Sequence, residues 1–156
     1  MLRFVVLGFA LSLAACDSTG PSPARQADLA ATLDGLLLDE YHAEAAYARV
    51  LADFGDVLPF ANIIQAERQH AASLEALYAR YGLDLPDNPH SAESADGFAS
   101  VGAACAVGVD AEIANAALYD AVLDQPMPDD VRQVLTANRD ASLLHHLPAF
   151  ERCATS

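Results

Sequence analysis

The sequence has no tryptophan, only three cysteines, and few cations: 8 Lys and Arg stand against 22 Asp and Glu, for a formal net charge of −14. A surface of that sign repels phosphate backbones, which argues against a nucleic-acid partner. The β-branched runs expected of strands are missing, and so is any internal repeat. There is no Gly-rich phosphate loop, no Gly-x-Ser-x-Gly elbow and no Cys pair with zinc-finger spacing. Nucleotide hydrolysis, serine-type ester hydrolysis and a structural zinc finger are therefore not indicated.

What is present is apolar and helix-forming. Of 156 residues, 53% are hydrophobic. Alanine and leucine dominate, a composition that favours helix. The length suits one ordinary domain behind a leader.

Arg3 is the only charge before Asp17, and Phe4 to Leu13 is a short apolar run interrupted by Gly8 and Ser12. That run is too short for a spanning helix and has the shape of a signal peptide. It ends at Leu13-Ala14-Ala15-Cys16, which resembles a bacterial lipobox. The expectation is a lipoprotein signal over residues 1–15, with Cys16 lipidated and opening a tether over 16–25. An ordinary signal cleaved after Ala15 is the alternative. Removing Arg3 with the leader takes the net charge from −14 to −15. Multiple acyl chains on Cys16 would anchor the protein stably to a membrane. The expected location is the bacterial cell envelope, facing the periplasm or exterior. Asp17 resembles the inner-membrane retention signal of enteric bacteria. The Ser-Thr-Gly-Pro-Ser-Pro run over 18–23 opposes helix.

Four segments within 26–156 carry an apolar stripe at helical spacing. The first, about Gln26 to Phe54, places Leu29, Leu33, Leu36, Glu40, Ala43, Tyr47, Val50 and Phe54 on one face, with Gly55 as its stop. The second begins near Pro59, read as a first-turn residue; its stripe is Ile63, Glu67, His70, Leu74, Leu77 and Tyr81. Residues 83–99 read as a long connection with room for one helical turn. The third begins at a Ser100 cap and carries Val101, Cys105, Gly108, Glu112, Asn115, Tyr119 and Val122. The fourth runs from about Asp129 to Arg152, with Asp129 and Asp130 at its dipole-favoured start. Pro148 cannot donate to the residue-144 carbonyl and predicts a kink.

Glu40, Glu67 and Glu112 fall inside these apolar stripes, near mid-helix. An isolated buried carboxylate is too unfavourable to stay unpaired, and a bound metal ion is one way to pair it. Glu67 and His70 are three apart and share a face. At about 1.5 Å per residue, Glu40, His70 and Glu112 reach similar depths, whereas His146 falls about one turn lower. His145 and His146 point about 100° apart, so at most one fits a given site. The bland alternative is a metal-free network of Glu, His and Tyr. Tyr47 and Tyr119 are either hydrogen-bond partners of these carboxylates or plain core aromatics. Glu44, one turn from Glu40, is either a supporting residue or solvent-facing. His42 and His90 have no evident partner and are expected to be exposed.

Short connections after segments one and three and a long one between two and three give an all-α, antiparallel ferritin-like four-helix bundle. Cys105 and Cys153 both lie near bundle ends, and an exported compartment permits a bridge between them. Two buried thiols are the alternative.

Several motifs together resemble a known family. They are Asp39-Glu40-Tyr41, Tyr47, Phe54-Gly55, Pro59-Phe60-Ala61-Asn62-Ile63 and Glu67-x-x-His70. Ala104-Cys105, Gly108-Val109-x-Ala111-Glu112-Ile113 with Asn115, and Ala141-Ser142 with His146-Leu147-Pro148-Ala149-Phe150 complete the set. In this order they resemble the ferritin-like bacterial family called domain of unknown function 2202, distantly similar to rubrerythrins. The resemblance spans about residues 29–153. It implies Glu40, Glu67, His70, Glu112 and His146 as metal ligands, His146 rather than His145, and a Cys105–Cys153 disulfide. The chain departs from a full di-iron set of four carboxylates and two histidines. Ser142 and Leu143 stand where helix four would supply a carboxylate, and Asn115 stands where helix three would supply a histidine. Three Glu and two His suit one ion, or two with added water or Glu44. Iron is the expected metal; manganese, zinc or copper also fit such ligands. The function read from this is a metal-binding envelope protein with a site open to redox chemistry towards oxygen, peroxide or ferrous iron. The alternatives are a non-catalytic metal-holding or sensing module and a structural lipoprotein with a vestigial polar core. A lipid tether argues against a closed storage shell.

Overall fold

The computed structural model describes residues 23–155, and every regular element among them is helical. The leader, the lipobox Cys16 and residues 17–22 of the tether lie outside the described residues. The elements are α1 (Pro23–Phe54), α2 (Phe60–Tyr81), α3 (Val101–Leu123), α4 (Asp129–Ala141), a π-helical segment (Ser142–His146) and α5 (Leu147–Ala154). The last three run on without a break, so the chain forms four long helical stretches among the described residues.

Two boundaries differ from expectation. The first helix begins at Pro23, three residues before Gln26, so Pro23, Ala24 and Arg25 belong to the helix and not to the tether. A proline fits there because the first-turn N–H groups have no intrahelical acceptor. Pro59 stands just before α2 as its N-cap residue and not inside its first turn. The other ends follow their local chemistry. Gly55 and Gly82 adopt positive φ, +80° and +62°, the left-handed conformation that closes a helix. The Ser100 hydroxyl accepts from the Ala103 N–H at 3.1 Å, satisfying one open donor of α3. In the long connection, the Ala95 N–H reaches the Ser91 carbonyl at 3.1 Å. This single turn is all the helical character that the connection has.

The buried residues follow the stripes. Leu33, Leu36, Glu40, Tyr47 and Val50 are buried on α1; Ile63, Glu67, His70, Leu74 and Leu77 on α2; Cys105, Gly108, Glu112, Asn115 and Tyr119 on α3. The core has two apolar halves. One gathers Leu33, Leu37, Leu74, Leu77, Tyr78, Val131 and Leu135. The other gathers Val50, Phe60, Ile63, Ala104, Cys105 and Phe150. The buried polar residues lie at helix levels between them. α3 is apolar beyond its buried stripe as well: Val107, Ile113 and Leu118 are 51%, 51% and 42% exposed.

α3 and α5 are held together at close range. A Cβ at Gly108 would meet Phe150 Cδ1 at 2.8 Å, so only glycine permits this approach. Cys105 and Cys153 form a disulfide, with Cα atoms 5.8 Å apart. Each cysteine is two helical turns from a site residue on its own helical stretch, Glu112 and His146 respectively.

Two outcomes follow for stability. Replacing both Cys105 and Cys153 with alanine should lower unfolding free energy by about 2–4 kcal/mol in denaturant titration, because the bridge closes a 48-residue separation. Gly108→Ala should cost about 1–3 kcal/mol through overpacking against Phe150; a wild-type midpoint would refute the close approach.

Candidate metal centre

The five residues singled out in the sequence come together. Glu40 is fully buried, and Glu67, His70, Glu112 and His146 are between 2% and 7% exposed. α1 supplies Glu40, α2 supplies Glu67 and His70 one turn apart, α3 supplies Glu112, and the π-helical segment ends on His146.

Glu67 is the centre of the arrangement. Its Oε2 lies 3.0 Å from His70 Nδ1, and that nitrogen is 3.3 Å from Glu40 Oε2. Its Oε1 lies 3.1 Å from His146 Nδ1, which is 3.3 Å from Glu112 Oε2. Two donor triads therefore share one carboxylate: Glu40–His70–Glu67 and Glu112–His146–Glu67. Within each, the donor atoms all lie within 4.8 Å of one another. The two imidazoles stack, with centroids 5.4 Å apart and planes 22° apart. Such groups could hold a metal ion.

The outer carboxylate oxygens are occupied differently. Tyr119 donates to Glu40 Oε1 at 2.5 Å, and Tyr47 donates to Glu112 Oε1 at 2.7 Å. Each outer Glu thus spends one oxygen on a phenol and turns the other inward. The tyrosines are hydrogen-bond partners and not plain core aromatics. Asn115 donates to Glu40 Oε1 at 3.2 Å and to Asp39 Oδ2 at 2.8 Å, and accepts from the Ser142 hydroxyl at 2.8 Å. Asn115 and Ser142, the two departures from a full carboxylate and histidine set, therefore bond to each other.

Asn138 had no part in the sequence reading. It is buried and donates to the Tyr119 hydroxyl at 3.1 Å. Its signal was its position four before Ser142 and eight before His146, on the same face of the fourth helix. Asp39, beside Glu40 in the chain, accepts from Asn115 and is the outer end of this network.

The structure decides several open points and corrects others. Glu44 does not join the centre; its carboxylate pairs with Arg68 at 2.7 Å, at the partly exposed edge of α1 and α2. His145 is exposed and His146 buried. His146 also does not fall a turn too low. The expected kink at Pro148 takes the form of a π turn, in which the Leu147 N–H bonds to the Ser142 carbonyl five residues back. The wider turn re-aims the residues before Pro148, which has no N–H to give, and brings His146 onto Glu67. His42 is exposed as expected, but it has a partner: its ring centroid is 5.1 Å from that of the half-buried His90.

The electrostatics describe a site that needs positive charge. Burial lowers the pKa of His70, but Glu40 and Glu67 outweigh it and raise the value to about 10. Burial likewise lowers that of His146, and Glu112 and Glu67 bring it up to about 9. Burial raises the Glu40 carboxyl. Burial also acts to raise Glu67, but the two imidazoles outweigh it and hold this carboxyl below its ordinary value. Without a metal, protons therefore occupy the place of cations. The fit to an ion shows in the geometry as well. Glu67 Oε1 and His146 Nδ1 are fully enclosed, yet neither has a partner in hydrogen-bonding geometry. Buried polar atoms without a hydrogen bond are costly; a carboxylate oxygen and a deprotonated imidazole nitrogen each offer a lone pair, so a shared cation would satisfy both.

With these features established, comparison with protein-family models, curated proteins and solved structures finds no match to the chain.

The pH dependence of the metal-free protein follows from the histidines. Both folded-state pKa values are raised above 6.5, so their contribution is complete below about pH 6.5 and is lost as pH rises through about 9 to 10. The Tm of metal-free protein should fall steadily between about pH 7 and pH 10. Added divalent metal should oppose that fall, since it displaces the same protons. A metal-free Tm that is flat over this window would contradict the assignment.

Proposed function

We propose that this chain is a metal-binding protein of the bacterial cell envelope, with an antiparallel ferritin-like four-helix bundle and a carboxylate and histidine centre in its core. The observation that carries the reading is the pair of donor triads sharing Glu67, buried between two apolar halves. The short links at 55–59 and 124–128 and the long one at 82–100 support ferritin-like connectivity. Glu40, Glu67, His70, Glu112 and His146 would hold the metal, with Glu67 common to two ions. Iron is the proposed metal, with manganese, zinc and copper compatible with the same donors. The motif resemblance to domain of unknown function 2202 supports the same five residues.

A bound iron pair would supply one-electron exchange with oxygen, peroxide or ferrous iron. The chain's own part is to fix the donors. Tyr47 and Tyr119 orient the outer carboxylates, and Asn115, Asn138 and Ser142 brace Tyr119 and Glu40. One observation favours a second reading, an ion held without turnover. The fourth helix places the neutral Ser142 against Asn115, so the centre has three carboxylates where a full di-iron set has four. Cys16 and the preceding leader support export and membrane anchoring through lipid.

Metal analysis separates these readings. Protein loaded with ferrous iron should retain about two ions per chain, and Glu67→Ala should lose both because it removes the shared donor. Oxygen consumption that vanishes with Glu67→Ala would favour the redox reading, whereas bound but inert iron would favour the holding module. Fewer than about 0.2 ions per chain after loading with iron, manganese, zinc and copper would overturn metal binding altogether.

A further inference from the structure

The buried centre raises the question of how a hydrated cation reaches it. A cavity of about 490 Å³ lies between α1 and α3, partly roofed by the long connection. Its floor includes Glu67 and Glu112, beside the Tyr47 ring. Its walls are small side chains: Ala43 and Ala46 on α1, Ala104, Gly108 and Ala111 on α3. Asp39, His42 and Asp96 also line it. A second cavity, about 820 Å³, lies between the start of α1 and the turn before α4 and touches none of the five centre residues.

The first cavity has chemistry for a cation at both levels. At the inner level, the nine-tenths-buried Glu67 carries the Oε1 that has no hydrogen-bond partner. At the outer level, His42 on α1 faces His90 of the connection, with ring centroids 5.1 Å apart and planes 52° apart. Asp39, one turn before His42, lines the same cavity. Two imidazoles and a carboxylate are borderline ligands suited to first-row divalent ions. The connection that brings His90 here is tied to α1, because Arg49 donates to the Ala95 carbonyl at 3.1 Å and pairs with Asp53 at 2.7 Å. The cavity has no arginine or lysine in its lining, so nothing in its walls repels a cation.

We propose that the α1–α3 cavity is the entry route for divalent metal ions, and that His42, His90 and Asp39 form an outer docking site that receives the ion before it passes to Glu112 and Glu67. The proposal rests on the metal-binding reading of the core. The outer donors do not close around an ion as tightly as the core triads do; two imidazoles in ring contact and a carboxylate one turn away make a loose, exchanging site. Looseness suits a relay, because an ion held tightly at the mouth would not move inward.

The test is the rate of cobalt(II) uptake by the metal-free full chain, followed by visible absorbance in stopped flow. The His42→Ala/His90→Ala double variant should load roughly tenfold more slowly. Its equilibrium Kd for the core ions should stay within about twofold of wild type, since entry and exit share one path. Ala111→Phe, an exposed wall position, should also slow loading by obstructing the cavity, with both histidines intact. Wild-type loading rates in either variant would overturn the route or its docking site. A large loss of core affinity in the double variant would also overturn it, by making the two histidines structural. Wild-type protein that takes up no cobalt at equilibrium would instead overturn the metal-binding reading, and the two failures are therefore distinguishable.

Discussion

The rest of this structure depends on three carboxylates that sit in an apolar core. Glu40, Glu67 and Glu112 are enclosed by helices whose other inward residues are leucine, isoleucine, valine and aromatic rings. Leaving such anions uncompensated would exceed the whole stability of an ordinary domain. The fold therefore has to deliver positive charge and hydrogen-bond donors to the same depth. It does so twice over. Two histidines face inward between the carboxylates, and two tyrosines close the outer oxygens. Where no metal is present, protons held by the histidines supply the charge.

That requirement accounts for features that would otherwise look unrelated. Asn115 and Ser142 join α3 to the fourth helix at the level of the site. The π turn at Ser142–His146 sacrifices regular helix geometry to aim one imidazole. The Gly108–Phe150 contact and the Cys105–Cys153 bridge hold α5 against α3, which fixes His146 relative to Glu112 from the side opposite the π turn. Irregular structure is concentrated on the one helix that approaches the site with a proline beside its ligand.

The sequence revealed most of this through periodicity. Glutamates recurring in an apolar stripe could be placed at a common depth from rise per residue alone, and Glu40, Glu67, His70 and Glu112 all met there. The limit came where local geometry departs from an ideal helix. A uniform rise put His146 a turn too low, and the π turn that re-aims it is not visible in a hydrophobic period. Periodicity left Glu44, one turn from Glu40, between a supporting role and a solvent-facing one, and only the position of Arg68 across the α1–α2 edge decides that it pairs outside the centre. The bond from Asn138 to Tyr119 and the pairing of His42 with His90 were illegible for another reason, although the helix position of Asn138 on the face of Ser142 was readable. Each depends on residues far apart in the chain meeting in space, 19 residues apart for Asn138 and Tyr119. Neutral amides and loop histidines carry no pattern that announces such a meeting.

The two triads look alike in composition but differ in setting. On the Glu40 side, His70 Nδ1 makes hydrogen-bonding contacts to both of its carboxylates, and Tyr119 is itself braced by Asn138. That half is internally satisfied. On the Glu112 side, His146 Nδ1 lies 3.1 Å from Glu67 Oε1 and 3.3 Å from Glu112 Oε2 but outside hydrogen-bonding geometry, and Glu112 borders the α1–α3 cavity. The strongest unmet demand for charge thus coincides with the half nearest an opening. The same fold therefore has one half enclosed by its own hydrogen bonds and one half beside an opening. Glu67, with one oxygen in each, is the only carboxylate through which the state of one half is felt directly in the other.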